Sequence, residues 1–329
     1  MRKTNQKRRR KQKRKTLKKR GGATGSGQFG IVFYDPRPLC ENETEITPQM
    51  FSEAGKISYG NYDDSNDKHD FALKEYKILK KIQQIGEKKE IQDAVEKASK
   101  YINLPLKNCI VNSVMYQNNP SLKDEYKSNW ATKSDFAYLS QTDNKDIKFT
   151  MTVYPKMKET VASVIGRTKD VKGRFEIVLG LKNIVDGFLF LESIGLFHYD
   201  FKFDNAMVSD DGTYKMIDLL EIGNLRSKDY DLLKDQLHTM LKSCVSIITR
   251  RNIVDTPHNE YVEEFIREIT DRGFYQKKYV SFEVVEMESV EKYSEAFEEI
   301  MEIVRNIVDK MDNVSGKKRK SEEEMTRSS

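Results

Sequence analysis

The sequence has 329 residues, of which 37% are hydrophobic and 10% aromatic, so it can bury the core of two lobes or one large domain and is not a disordered chain. No apolar run is long enough to span a bilayer, and the first residues lack the apolar core of a signal peptide, which predicts a soluble intracellular protein of the cytoplasm or nucleus. The three cysteines are far apart and form no CxxC pair, which predicts no disulfide framework and a reducing compartment.

The charge is unevenly distributed along the chain. Residues 1–20 carry 13 Lys or Arg and no acid, whereas the net charge of the whole chain is only +5. Because residues 315–329 carry +2, the residues between the two tails carry −10. We expect disordered tails over 1–22 and 313–329, since such charge runs repel themselves. The basic tail suits an import factor or weak nucleic-acid binding, but it has no aromatic residues for base stacking.

A glycine-rich turn opens the acidic body and runs into an apolar strand that contains Val32. The residues of the turn are Gly25, Ser26, Gly27, Gln28, Phe29 and Gly30. A dinucleotide-binding turn needs a buried strand before it and a helix after it, but here a polycation precedes and a strand follows. The pattern therefore favours a strand–glycine loop–strand hairpin, in which the lack of Cβ atoms lets backbone N–H groups approach phosphates.

A loop over 35–48 and a strand over 51–59 precede a helix that starts near His69. The 3–4 spacing puts five residues on the buried face of this helix: Phe71, Glu75, Ile78, Ile82 and Ile85. Lysines collect on the opposite face at Lys74, Lys77, Lys81 and Lys88. A buried carboxylate without a cation is costly, so we expect Glu75 to have a cationic partner.

The rest of the chain predicts strands followed mainly by helices, without internal repeats. The predicted elements are a helix over 88–101, strands over 109–116 and 148–154, a buried helix over 175–193, a β-hairpin of 206–208 with 214–217, and helices over 229–248, 259–270 and 288–311. The last helix has a 3–4 apolar stripe that suits packing on its own domain better than a coiled coil, so we expect a monomer. This order predicts a two-lobed α+β molecule.

The run from His198 to Asn205 has the pattern H-x-D-x-K-x-x-N, and the hairpin after it leads to Asp218. This arrangement resembles the catalytic loop and the magnesium aspartate of the protein kinase superfamily, and the resemblance covers about residues 23–311. It implies a nucleotide-binding N-lobe over 23–155, a helical C-lobe over 156–312, and an ATP- and Mg²⁺-dependent kinase acting on Ser or Thr of a protein substrate.

The resemblance also implies a role for each site residue. Asp200 would accept the proton of the attacking hydroxyl, and Lys202 would neutralise charge on the transferred phosphoryl group. Asn205 and Asp218 would hold magnesium through oxygen atoms. We expect His198 to be a packing and hydrogen-bonding strut rather than a base.

Two lysines compete for the role of gripping the ATP phosphates and pairing with Glu75. Ala72-Leu73-Lys74 looks like the family motif V-A-I-K, but the helical register puts Lys74 on the solvated face. Lys56 lies in a predicted strand before the helix, and we favour a Lys56–Glu75 pair. The long insertion before Lys56 departs from the family spacing, so both lysines remain candidates.

Other departures from the family concern regulation and substrate. Tyr199 replaces the loop arginine that reads a phosphate in many kinases, which predicts activity independent of such phosphorylation. Leu219 and Leu220 replace Phe-Gly after the aspartate, and no Ala-Pro-Glu motif follows, so docking of a peptide substrate is the least supported expectation. A pseudokinase scaffold, a small-molecule kinase and a nucleic-acid-binding protein are the alternatives. The inserted loops and the basic tail are similar to kinase-like proteins of large nucleocytoplasmic DNA viruses.

Overall fold

A computed structural model describes most of the body of the protein. The described residues are 23–27, 30–34, 36–58, 71–91, 93–112, 148–249, 259–278 and 281–327. The predicted basic tail over 1–22 and the turn residues Gln28 and Phe29 lie outside them.

The chain forms two compact units. The first comprises the chain up to Lys88 together with Asn103–Met157, and the second comprises Lys89–Ile102 together with Lys158–Ser329. Residues 89–102, predicted in the N-lobe, thus belong to the second unit. The cause is local packing there: Lys215 donates to the carbonyl of Ser99 at 2.7 Å, and Ile102 is bridged to Met216.

The described residues of the first unit form an antiparallel sheet with one long helix. Its strands are β1 (Ala23–Gly27), β2 (Gly30–Tyr34), β3 (Glu53–Ser58), β4 (Lys107–Asn112) and β5 (Lys148–Pro155), in the order β1-β2-β3-β5-β4. Helix α1 (Phe71–Lys88) buries Ile78 and Ile82, and Lys74 and Lys77 are exposed, as the helical spacing predicts.

The loop between β2 and β3 is fastened to β4 by polar and covalent contacts. Arg37 is only 2% exposed, and its guanidinium donates to both oxygens of Glu43 at 2.8 Å and also to Glu53. Beside this network Cys40 and Cys109 form a disulfide, with Cα atoms 5.7 Å apart. The prediction of no disulfide is therefore wrong, because the loop folds back on β4 and brings together cysteines 69 residues apart. Disulfides persist in oxidising surroundings, so the cysteines no longer argue for a reducing compartment.

The second unit is mainly helical. Its helices are α2 (Ala94–Tyr101), α3 (Val161–Arg167), α4 (Val171–Ser193), α5 (Tyr230–Thr249), α6 (Glu260–Asp271) and α7 (Val290–Arg327). Among the residues that the structure describes, short strands form three further sheets: β6 (Glu159–Thr160) with β8 (Ala206–Val208) and β9 (Tyr214–Met216), β7 (Leu196–His198) with β10 (Ile222–Asn224), and β11 (Tyr275–Lys278) with β12 (Ser281–Val284). Helix α4 is buried along most of its length, and Asp170 caps its start by accepting a bond from the N–H of Gly173 at 2.6 Å.

Several predicted elements differ from the structure. The helix predicted over 88–101 begins only at Ala94, because the chain turns at Glu90 and Asp93, which both have positive φ. The hairpin β11–β12 was predicted neither as strand nor as turn. The tail predicted as disordered over 313–329 continues α7 to Arg327, since residues 312–327 are rich in Lys and Glu, with one glycine and no proline. Of the helices in the described ranges, none is both long and apolar enough to cross a bilayer.

Candidate active site

The described residues on the two sides of the glycine-rich turn pair as antiparallel strands in the first unit. Gly27 pairs with Gly30, while Gly25 and Ser26 pair with Val32 and Ile31. On the other side of β2, Val32 pairs with Lys56 in β3. Strand β2 of the predicted phosphate-binding hairpin therefore lies directly beside β3, the strand that carries Lys56.

Lys56 and Glu75 form the ion pair expected from the sequence. The Lys56 ammonium donates to Glu75 Oε1, and the two side chains are 19% and 1% exposed. Lys74 lies on the exposed side of α1, as its register predicts. The structure thus brings Lys56 and Glu75 together; that this lysine holds ATP remains a prediction.

A third residue, Tyr154, completes the pair and was missed by sequence reasoning. Its hydroxyl donates to Glu75 Oε2 at 2.6 Å, so each oxygen of the carboxylate has its own donor. Tyr154 lies 79 residues from Glu75, near the end of β5, and no motif marks it. Two donors stabilise the ionised form of a carboxylate that burial alone would penalise.

The loop that follows β7 carries the two predicted catalytic residues at the surface of the second unit. Lys202 Nζ donates to Asp200 Oδ2 at 3.0 Å, and their side chains are 54% and 55% exposed. This hydrogen bond and the charge of Asp200 raise the pKa of Lys202 above its ordinary value. A carboxylate and a cation are thus paired on an accessible loop.

Buried polar groups hold this loop from below. The Nδ2 of Asn205 donates to the carbonyl of Asp200 at 2.8 Å, and Gln236 on α5 donates to the carbonyl of His198 at 2.9 Å. His198 is fully buried with Nε2 3.0 Å from the carbonyl of Ile217, and burial lowers its pKa. The neutral ring therefore donates a hydrogen bond from Nε2 to this carbonyl. This fits the expected role of His198 as a packing and hydrogen-bonding residue rather than a base. Gln236 was not predicted.

Asn205 and Asp218 are joined through the β8–β9 hairpin. Ala206 pairs with Met216, and the N–H of Ile217 donates to the carbonyl of Asn205 at 2.9 Å. Asp218 follows with φ 62° and ψ 62°, in the left-handed region that non-glycine residues seldom adopt and that often occurs at functional sites. The backbone register therefore brings two oxygen-bearing side chains to one end of the hairpin.

These two residues fit a magnesium ion in chemical type. Mg²⁺ prefers oxygen ligands and is commonly held by one or two protein groups together with phosphates and water. The amide nitrogen of Asn205 is bonded to the loop, which fixes the amide so that its oxygen faces away from that bond. Within the described part of the chain, no cluster of three or more His, Cys, Asp or Glu forms a metal site. An Asn–Asp pair completed by phosphates needs no such cluster.

No protein-family model matches the sequence, and no curated protein matches it significantly. Among solved structures, one similar chain is described as a divergent kinase lacking the glycine-rich loop, which regulates membrane ultrastructure of the Toxoplasma parasitophorous vacuole. It is 15% identical, the match covers 78% of this chain and 74% of that one, and the TM-score is 0.37. A similarity with so low a score does not establish the activity of this chain.

Proposed function

We propose that the protein is an ATP- and Mg²⁺-dependent phosphotransferase that acts on a Ser or Thr hydroxyl of a protein substrate. The observation that carries the proposal is the hydrogen-bonded connection from Asp200 through Asn205 to the residue before Asp218. It links the proposed proton acceptor to the two proposed magnesium ligands through the β8–β9 hairpin. Phosphoryl transfer requires mainly such positioning and neutralisation of charge.

The exposed pair on the loop suits the transfer step. Asp200 would accept the proton of the substrate hydroxyl. The hydroxyl oxygen would form a bond to the γ-phosphorus as the bond between that phosphorus and the ADP oxygen breaks. Lys202 would stabilise the negative charge of the moving phosphoryl group through its positively charged ammonium. Both side chains are more than half exposed, so a substrate as large as a protein surface can approach them.

The remaining residues suit the nucleotide and its metal. Asn205 and Asp218 would hold magnesium, and bound magnesium would neutralise phosphate charge. Lys56, held by Glu75, would donate to the α- and β-phosphate oxygens, and the backbone of Gly25, Ser26, Gly27 and Gly30 would approach the phosphates. Since Glu75 is buried and bound by Tyr154, the Lys56 ammonium is held in a fixed direction.

A small-molecule kinase is a second candidate, favoured by the length of the connection between Asp218 and α5. This connection, residues 219–229, is eleven residues long and is folded into β10 and two short 3₁₀ turns. It offers little chain for binding an extended peptide. A compact substrate that brings its own hydroxyl to Asp200 would need no such surface.

Transfer of labelled γ-phosphate from Mg²⁺–ATP would test the proposal, with a basic protein and a panel of hydroxylated small molecules as acceptors. Wild type should label the protein, and Asp200→Asn should lose nearly all transfer because it removes the proton acceptor. Asp204→Asn is a matched control, since it removes an exposed carboxylate of the same loop. Labelling of small molecules alone would favour the second candidate. No transfer, together with no thermal shift on adding Mg²⁺–ATP, would point to a pseudokinase scaffold.

A further inference from the structure

Tyr199 stands next to Asp200, at the position of the expected regulatory arginine, and reaches the connecting segment, residues 219–229. Its hydroxyl lies 2.7 Å from the carbonyl of Asn224 and 2.7 Å from Asp229 Oδ2. The guanidinium carbon of Arg226 lies 5.7 Å from the centre of the tyrosine ring. One side chain beside the proton acceptor thus contacts the middle and the end of the segment.

Asp229 is the acceptor at the centre of this cluster. It is 2% exposed, and besides Tyr199 it accepts bonds from the backbone N–H and the Nε of Arg226, both at 2.9 Å. The bonds from Arg226 and Tyr199 hold the pKa of Asp229 well below its usual range, so the carboxylate stays charged. Burial and Asp229 raise the pKa of Tyr199, so the phenol stays a donor. A hydrogen bond to a charged acceptor is stronger than one between neutral groups.

The backbone of the segment packs closely against Tyr199. Strand β10 pairs with β7, so that Gly223 lies opposite Phe197. A Cβ atom on Gly223 would lie 2.7 Å from the ring of Tyr199, so a larger residue there would displace the ring. The N–H of Tyr199 also donates to the carbonyl of Glu221 at 2.9 Å. Ring, hydroxyl and backbone of Tyr199 all bind the same segment.

We propose that Tyr199 takes the place of the expected arginine and that Asp229 takes the place of the phosphorylated residue. Together they hold the segment in order without modification. Tyr199 is then a positioning residue: it fixes the chain that follows the magnesium ligand Asp218, while Asp229 supplies the negative charge that a phosphate would bring. This inference rests on the proposed phosphotransferase function and assigns the regulation of that site.

The sequence of the segment supports this assignment. Ser227 is the only hydroxyl-bearing residue between Leu219 and Asp229, and it is exposed. The guanidinium of Arg226, the preceding residue, is already bonded to Asp229 through Nε at 2.9 Å and Nη2 at 3.2 Å. A phosphate on Ser227 would therefore compete with a carboxylate already in place.

Hydrogen exchange of residues 222–229 measures the anchor without requiring activity. Tyr199→Phe keeps the ring and removes the hydroxyl, and we expect exchange there to rise about ten-fold, as loss of a bond to a charged group predicts. Tyr230→Phe is the matched control, because it removes the hydroxyl of a neighbouring, 43% exposed tyrosine, and it should change exchange less than two-fold. In the double variant Tyr199→Phe/Asp229→Ala the rise in exchange should be smaller than the product of the two single effects, because both substitutions remove the bond between Tyr199 and Asp229.

Transfer assays complete the test. Tyr199→Phe should lower kcat about ten-fold with KM for ATP nearly unchanged, whereas Ser227→Ala and phosphatase treatment of wild type should leave the rate unchanged. Unchanged exchange in Tyr199→Phe, or loss of transfer in Ser227→Ala, would overturn the inference. If wild type transfers no phosphate but Tyr199→Phe still raises exchange, the anchor stands and the phosphotransferase proposal fails.

Discussion

In the first unit the charged residues of the candidate site are buried and paired, whereas in the second unit Asp200 and Lys202 are more than half exposed. Glu75 has a separate donor on each oxygen, and one of its partners, Lys56, is four-fifths buried. Asp200 and Lys202 are bonded to each other. Beneath them, the buried His198 and the amide of Asn205 hold the loop through hydrogen bonds to backbone carbonyls.

Because of this difference, substitutions in the two units should affect folding stability and catalytic activity differently. Removing one partner of a buried ion pair leaves a charge without compensation and destabilises the fold. Exposed pairs contribute little to stability, so their removal changes reactivity alone. Substitutions in the first unit should therefore lower both the stability of the protein and its activity, while those on the loop of the second should lower only activity.

The largest expected effect is that of Lys56→Met. It removes the proposed phosphate ligand and leaves the buried Glu75 with one donor fewer, so kcat/KM should fall roughly a thousand-fold and the thermal midpoint should drop. Asp200→Asn should match the loss of transfer but keep the wild-type midpoint. Phosphate transfer and thermal unfolding of both variants measure the contrast.

Lys74→Met is the matched control, because it neutralises an exposed lysine one residue before Glu75. It should keep wild-type transfer and stability. Loss of transfer in Lys74→Met but not in Lys56→Met would assign the nucleotide to the other lysine.

The disulfide gives the next largest effect, and it concerns stability alone. Cross-linking residues 69 positions apart removes much of the entropy of the unfolded chain, so Cys109→Ser should cost about 3 kcal/mol in the free energy of unfolding. Denaturant unfolding with and without reductant measures this. The variant Cys40→Ser/Cys109→Ser should be no less stable than either single variant and insensitive to reductant; additive losses would contradict the cross-link.

Sequence reasoning succeeded where a local pattern sets the structure. The helical spacing of α1 placed Glu75 inward and Lys74 outward, and the spacing of the H-x-D-x-K-x-x-N loop and its hairpin placed Asn205 near the residue before Asp218. In each case the helix or strand repeats its geometry every few residues. The spacing of residues in the sequence therefore decides which side chains lie on the same face or at the same strand end.

It failed where the partner is distant in the chain. Tyr154 is 79 residues from Glu75, and Asp229 is 30 residues from Tyr199. The loop that carries Cys40 meets Cys109 on β4, a strand that pairs with β5, and the two cysteines are 69 residues apart. These contacts depend on which strands are neighbours and on how a loop returns, and no spacing in one sequence records either.

Tyr154→Phe should have a smaller effect than loss of the disulfide, because it removes one hydrogen bond and keeps the ring. The buried Glu75 would lose the donor to Oε2, at a cost of about 2 kcal/mol in the free energy of unfolding. Denaturant unfolding measures the loss. Tyr76→Phe, a half-buried tyrosine on the same helix, is the control and should cost less than half as much. Equal losses in the two variants would mean that the hydroxyl does not support Glu75.

The smallest expected effect is a pH dependence of the free energy of unfolding, which comes from Glu43 in the first unit. Burial opposes ionisation of Glu43, but bonds from Arg37 and Lys107 outweigh it and lower the pKa from 4.5 to about 2. Because the folded pKa is depressed, this stabilisation is complete above pH 4.5 and is lost as the pH falls toward 2. At pH 3.5 the loss attributable to Glu43 should be about 1 kcal/mol. Glu43→Gln, unfolded in denaturant over the same range, should lack that part of the slope; a slope equal to that of wild type would show that the carboxylate is not held by its two cations.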